Sequence, residues 1–286
     1  MIFSSQYTVK TWLESLFRQG RKPCLFGILN VTPDSFSDGG MHFSTQKAIA
    51  FAKQLLADGA DAIDIGGEST RPGADAVPAE EEIRRICPVV RALKQDNPDI
   101  VISVDTRKAA VADCALSEGA DIVNDVSGLR HDSELPKVAA IHRAGLIVMH
   151  SKAEPANMQN EKFLRYGDMV EDVRDFLLNA TGKALNAGVE HDNILLDPGI
   201  GFAKSREQNF ELIRRTPEFL SMGFPLFYGI SRKSFLAEKE VDLKTRDEIS
   251  AEYHVRLAKM GVSCLRLHHP AITLEALKKG NIRRCF

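Results

Sequence analysis

The sequence predicts an α/β fold, a single-domain (β/α)8 TIM barrel with an N-terminal extension, and three observations carry that prediction. Eight short apolar runs alternate with stretches of helical periodicity, and strict alternation argues for a parallel sheet. A glycine-containing turn recurs at the entry to several of these runs, Asp58-Gly59-Ala60-Asp61 and Glu118-Gly119-Ala120-Asp121 being the clearest, and glycine suits the left-handed residue that ends a helix. The connections are also asymmetric: helix-to-strand joins are a few residues long, whereas three strand-to-helix joins are extended. Eight repeats favour a closed barrel over an open sheet.

In order, residues 1–21 precede the first run and read as an extension, and 22–286 as the barrel. Cys24 to Leu29 is the first strand, followed by a long loop, Asn30 to Ser44, and a helix with Ala48, Ala52, Leu55 and Leu56 on one face. Ala62 to Ile65 is the second strand, and a second long loop, Gly66 to Pro78, leads to a helix start where Pro78 is followed by Glu80, Glu81 and Glu82. Pro88 should kink that helix. Val101 to Val104, Ile122 to Val123 and Leu146 to Met149 follow as strands, then a third long loop, from His150 to about Asp168. Ile194 to Leu196, Leu226 to Ile230 and Cys264 to Leu267 complete the eight. Between the last two, Ile249, Tyr253, Leu257 and Met260 share a helical face behind a capping box of Thr245 with Glu248.

Composition narrows the function. Of 286 residues, 44% are apolar and 27% charged, which excludes disorder, and 37 basic against 39 acidic side chains leave a formal charge of −2. That balance gives no electrostatic case for nucleic acid or an anionic membrane as partner. The five cysteines are scattered without a CxxC pair, which reads as reduced thiols in a cytoplasmic protein. With no basic-then-apolar leader and no apolar run of membrane-spanning length, neither secretion nor insertion is expected.

The three long loops would all emerge at the C-terminal mouth of the barrel, where such folds keep their sites. Each strand runs into polar chemistry there: Asn30, Glu68, Asp105, Asn124, His150, Asp197, the run Ser231-Arg232-Lys233-Ser234, and Arg266 with His268. Asp105 and Asp197 directly follow apolar runs, so they lose solvation and need donors, in a functional pocket or in a structural salt bridge. Arg266 and His268 are two apart on a strand and share a face, an arrangement suited to phosphate, while His269 should point elsewhere. Thr70 and Arg71 offer a second anion contact or an ordinary turn. The Ser231–Ser234 run should place its backbone N–H groups at a helix N-terminus, a natural anion position. GxGxxG, Walker and GxSxG motifs are absent, which disfavours dinucleotide, P-loop and nucleophile-elbow chemistry.

Seven stretches in order then resemble one family: Gly27 to Gly40, Gly67 to Gly73, Ser103 to Thr106, Val123 to Asp125, Leu196 to Phe202, Ser231 to Ser234 and Arg266 to His268 are similar to the signature segments of the dihydropteroate synthases. The resemblance implies condensation of 6-hydroxymethyl-7,8-dihydropterin diphosphate with 4-aminobenzoate, giving 7,8-dihydropteroate and diphosphate. It implies that Asp105, Asn124, Asp197 and Lys233 are catalytic and hold the pterin together with Phe202 and Met149. Asn30, Thr70, Arg71, Arg266 and His268 would bind diphosphate, with Asn30 a ligand of Mg2+. Phe36, Pro72 and Ser234 would meet the aminobenzoate. A homodimer acting on small molecules is implied, with no nucleic acid or membrane partner. The strand-5 loop is only loosely like the family's pattern. A pterin-dependent methyltransferase has no diphosphate to hold, a barrel glycosidase would want more than the single Trp12, and a pterin binder without turnover would not need the anion-side residues.

Overall fold

The structure, a computed structural model, describes residues 23–32, 40–69, 73–153, 160–237 and 239–282. The proposed extension at 1–21 lies outside them. Eight parallel strands follow one another around a barrel: β1 Cys24–Asn30, β2 Ala62–Gly66, β3 Val101–Asp105, β4 Ile122–Asp125, β5 Gly145–Met149, β6 Ile194–Asp197, β7 Phe227–Tyr228 and β8 Cys264–Leu267. β1 pairs with both β2 and β8, and a Leu196 to Leu226 bridge joins β6 to the chain entering β7, so the sheet meets itself. Helices α1 Gly40–Ala57, α2 Ala79–Asp96, α3 Ala109–Ser117, α4 Leu135–Ile141, α5 Met169–Asn186, α6 Arg206–Arg214, α7 Thr216–Leu220, α8 Leu243–Met260 and α9 Pro270–Lys279 alternate with the strands.

The recurring turn works as anticipated, with an addition. Gly59 and Gly119 end their helices at φ 100° and 105°, values that favour glycine. The aspartate two residues later caps the neighbouring strand: Asp61 Oδ2 accepts from Leu25 N and Asp121 Oδ2 from Ile102 N, both at 2.8 Å. Each turn thereby stops a helix, starts a strand and satisfies a backbone donor at the sheet's lower edge.

Two expectations are corrected. The helix before β8 begins at Leu243, capped by the Asp242 carboxylate, which accepts from Thr245 N at 2.8 Å, so Thr245 lies inside the first turn and is not the cap. An ionised carboxylate is a strong N-cap, and it sets the start earlier. No α-helix starts at Ser231–Ser234 either; Ser234–Leu236 is a single 3-10 turn. α2 runs through Pro88 as one helix.

Side-chain alternation separates two cores. Outward residues such as Leu25, Ile63, Ile102, Leu146 and Leu265 pack under the helices. Inward ones, among them Cys24, Phe26, Ala62, Val101, Ile122, Ile147, Leu195, Phe227 and Cys264, form a separate apolar floor, with Phe26 edge-on to Phe227 at 5.0 Å. Two residues further along the strands the inward positions turn polar: Asp64, Ser103, Asn124, Asp197 and Arg266. The site therefore stands on a packed floor at the C-terminal end.

Candidate active site

β1, β3, β4 and β6 end one or two residues later than their apolar runs, at Asn30, Asp105, Asp125 and Asp197. Those polar side chains are strand residues rather than loop residues. Asn30, Asp105 and Asp197 are held at fixed inward positions by the ladder, as is Asn124, whereas Asp125 alternates to the other face and accepts from Ser127 N and Leu129 N. Asn30, Gly66 and Asp105 are cross-strand partners, and Asp105 pairs in turn with Asn124. A methyl group on Gly66 would lie 3.7 Å from Asn30 Oδ1 and 3.6 Å from Asp105 Cβ, in ordinary contact with both, so the two groups flank the glycine closely.

Arg266 anchors one half of the mouth. Its Nε donates to Asp64 Oδ2 at 2.5 Å and its NH2 to Asp105 Oδ2 at 2.8 Å, while Asn124 Nδ2 donates to the same Asp64 oxygen at 3.3 Å. Burial pushes the Asp105 carboxyl up, Arg266 opposes it and Asp64 adds to it. Asp64 is fully buried and was not among the candidates read from the sequence. Its signal was a lone carboxylate at an inward position of β2.

The other half is built by the turn after β6. Asp197 Oδ1 accepts from Gly199 N at 2.7 Å, and Asp197 is pushed up to about 6 by burial against the pull of that bond and of Lys233. Lys233 Nζ lies 4.3 Å from the centre of the Phe202 ring, and a methyl on Gly201 would fall 3.0 Å from Lys233 Cδ. Burial and Arg266 lower the Lys233 ammonium to about 8, with Asp197 and Asp105 resisting. Met149 pairs in register with Asp197 and packs with Phe202, Val126, Ala153 and Ala203, an apolar wall beside the charged groups. Gly199 sits at φ 71°, and a β-carbon there would lie 1.8 Å from the His150 carbonyl oxygen. The left-handed backbone alone costs an alanine about 1–2 kcal/mol, so Gly199→Ala is expected to lower the denaturation midpoint clearly. An unchanged midpoint would mean that this turn does not approach β5.

His268 is tied to the loop after β7: its backbone N–H donates to Ser231 Oγ at 3.2 Å and its Nδ1 lies 3.0 Å from the same oxygen. Ser234 is exposed at the start of a 3-10 turn, so it can offer a carboxylate its hydroxyl and the edge of that short turn, and not the expected α-helix N-terminus. Arg232, at φ 58°, turns away to pair with Asp247 of α8 at 2.7 Å. Phe36, Thr70, Arg71 and Pro72 lie outside the described residues. The base of their second loop is visible: Glu68 accepts from Val77 N at 3.3 Å, from Arg107 at 2.7 Å and from Lys108, which also pairs with Glu82 at 2.6 Å. Burial would raise the Glu68 carboxyl, but Lys108 and Arg107 outweigh it and hold it low.

Asn30, Asp64, Asp105, Asn124, Asp197, Lys233, Arg266 and His268 thus come from seven different strand ends and form one mouth. Its carboxylates offer acceptors for a planar donor edge and its cations offer contacts for an anion. Among the described residues no group of three or more His, Cys, Asp or Glu side chains is arranged to hold a metal ion.

Comparison with known proteins agrees. The family model described as pterin binding enzyme matches residues 26–268. A dihydropteroate synthase of Synechocystis sp. is 45% identical over 257 residues, covering 89% of this chain and 88% of the relative. One from Streptococcus pyogenes is 44% identical over 247 residues, covering 85% and 89%. Among solved structures, a dihydropteroate synthase from Clostridium difficile, determined in the presence of pteroic acid, superposes with a TM-score of 0.85 at 41% identity, over 92% of this chain and 97% of the other. One from Xanthomonas albilineans with 4-aminobenzoic acid gives 0.83 at 39%, over 91% and 92%.

Proposed function

The chain belongs to the pterin-binding enzyme family, and within it we infer a transferase that condenses 6-hydroxymethyl-7,8-dihydropterin diphosphate with 4-aminobenzoate, yielding 7,8-dihydropteroate and diphosphate. The observation that carries this is the buried Asp197 carboxylate facing Lys233 across the mouth, on a chain so similar to dihydropteroate synthases. A pterin shows a ring N–H beside an amino group, and a carboxylate accepts from both. Asp197 is the group for that edge. Asp105 and Asn124 take other ring edges, Lys233 donates to the ring oxygen and nitrogen, and Met149 and Phe202 supply the apolar wall.

Loss of diphosphate from the 6-methylene leaves a cation delocalised over the pterin, and the fixed carboxylates Asp105 and Asp197 stabilise it as it forms. The aryl amine is neutral at pH 7 and already nucleophilic, so no dedicated base is needed. Its approach is assigned to Phe36, Pro72 and Ser234, and the leaving group to Asn30, Thr70, Arg71, Arg266 and His268. His268 Nδ1 lies 3.0 Å from the Ser231 hydroxyl, and Nε2 is the ring nitrogen assigned to a phosphate oxygen. A single amide at Asn30 fits a hard, water-retaining cation that takes its remaining ligands from phosphate and water; Mg2+ held there would neutralise the departing diphosphate. Arg266 has a second duty, because its Nε and NH2 are already bound to Asp64 and Asp105.

The reading includes a homodimer in the cytoplasm; no helix among the described residues is long and apolar enough to cross a membrane. Diphosphate release on mixing both substrates with Mg2+ tests the function, and no release above the rate without 4-aminobenzoate would refute it. For the anion side, His268→Ala is expected to weaken inorganic diphosphate about tenfold, one hydrogen bond to a charged group, and to leave 6-hydroxymethylpterin nearly unchanged. Equal losses for the two ligands in calorimetry would remove His268 from the anion site.

A further inference from the structure

Behind the pterin-side pocket lies a buried lysine that the reaction does not use. Lys204 is 8% exposed and its ammonium has no carboxylate among its hydrogen-bond partners. It donates to the carbonyl oxygens of Gly199 at 2.8 Å and Phe202 at 3.0 Å, and it lies 2.9 Å from His150 Nδ1. All three ammonium hydrogens therefore have neutral acceptors. Burial and the cations Lys204, Arg130 and Lys152 hold His150 well below its ordinary range, so its Nδ1 is an acceptor. Desolvating an ammonium is expensive, and the cost persists in a fold only where several directed bonds offset it.

The three acceptors lie on two segments. His150 directly follows β5, and its backbone N–H also donates to the Asp197 carbonyl oxygen at 2.9 Å. Gly199 and Phe202 belong to the turn whose Gly199 N–H orients the Asp197 carboxylate and whose Phe202 ring stacks under Lys233. Gly199 and Gly201 leave the backbone of this turn conformationally permissive, with φ of 71° and 80°. A permissive backbone holds one shape only if something else selects it.

We propose that Lys204 is a positioning residue for the pterin subsite: its ammonium ties the Gly199 and Phe202 carbonyls to His150 and so sets the turn that presents Asp197 and Phe202. The proposal rests on the pterin reading above.

The test compares wild type, Lys204→Met and His150→Phe by calorimetry with 6-hydroxymethylpterin and with inorganic diphosphate, and by amide exchange over residues 197–203. Lys204→Met keeps the stem and removes the three bonds; pterin affinity should fall about tenfold or more, diphosphate should bind within about twofold of wild type, and exchange in the turn should quicken. His150→Phe keeps the edge-on contact with Phe176, at 4.9 Å, while removing one acceptor, and should shift the same readouts less. If Lys204→Met does not fold, His150→Phe decides: unchanged pterin affinity and exchange overturn the proposal. Unchanged pterin affinity in a folded Lys204→Met overturns it too, as does an equal loss for both ligands, which marks general destabilisation. Should wild type bind no pterin, the functional reading falls, and exchange in the turn still decides whether Lys204 sets it.

Discussion

Asp197→Asn is expected to weaken 6-hydroxymethylpterin by about 100-fold or more, on the order of the 3 kcal/mol that a charge-assisted pair contributes, with the fold intact. The carboxylate offers two oxygens: Oδ1 takes the Gly199 amide, and Oδ2 with the remaining lone pairs takes the pterin donors. An asparagine offers one oxygen and turns an amino group toward other donors. Stability should not suffer. The carboxyl stands at about 6, above its usual 3.8, so its contribution to stability is full at low pH and lost as pH rises through 6. Above that pH the neutral amide is therefore as stable as the native carboxylate or more so. The same value sets the pH dependence of binding. In wild type the pterin requires ionised Asp197, so affinity should decline as pH falls through about 6, and the raised carboxyl of Asp105 adds to that acid limb. Unchanged pterin affinity in the variant would place Asp197 outside the pocket.

Much of this site was legible in the sequence because barrels convert strand order into spatial order: polar residues that follow apolar runs must converge at one mouth. Asp105, Asn124, Asp197, Arg266 and His268 were found in that way. The period-2 pattern placed Arg266 and His268 on one face; β8 ends at Leu267, and Arg266 meets Asp64 and Asp105 while His268 meets Ser231. It was less informative about partners. Asp64 interrupts an apolar strand at an inward position, but only the register of β2 against β3 and β1 shows it level with Ser103 and Ile28, within reach of Arg266. Lys204 was hidden for a different reason. Its acceptors are backbone carbonyls and a histidine 54 positions away, and neither carbonyl bonding nor such a separation leaves a residue pattern. The turn at Ser234 was misjudged because a strand followed by polar residues ordinarily starts a helix in this fold; here Arg232 takes a left-handed backbone and its N–H goes to Ser250 Oγ at 3.0 Å, which sends the chain off first.

Arg266→Ala should do more than weaken an anion site. The side chain lies between Asp64, fully buried, and Asp105, nearly so, and breaking a buried pair by removing one partner costs about 3–5 kcal/mol because the stranded charge stays behind. Pterin and diphosphate affinity should both fall, since Asp105 loses the partner that aims it and Asp64, the acceptor of Asn124, loses its own. Arg266→Lys should not rescue, because one ammonium cannot reproduce a fork that meets two carboxylates at once. The pH dependence has a definite sign. Burial already raises the Asp105 carboxyl against the pull of Arg266, and without the guanidinium that carboxyl stands further above its unfolded value. Its penalty is then present at neutral pH and disappears once it is protonated, so denaturation curves of variant and wild type should draw together on acidification. Adding Asp64→Asn to Arg266→Ala removes one stranded charge and should restore part of the stability at pH 7 while turnover stays lost. If Arg266→Ala instead unfolds at the wild-type denaturant concentration at every pH, the two ion pairs contribute nothing to the fold and Arg266 serves the leaving group alone.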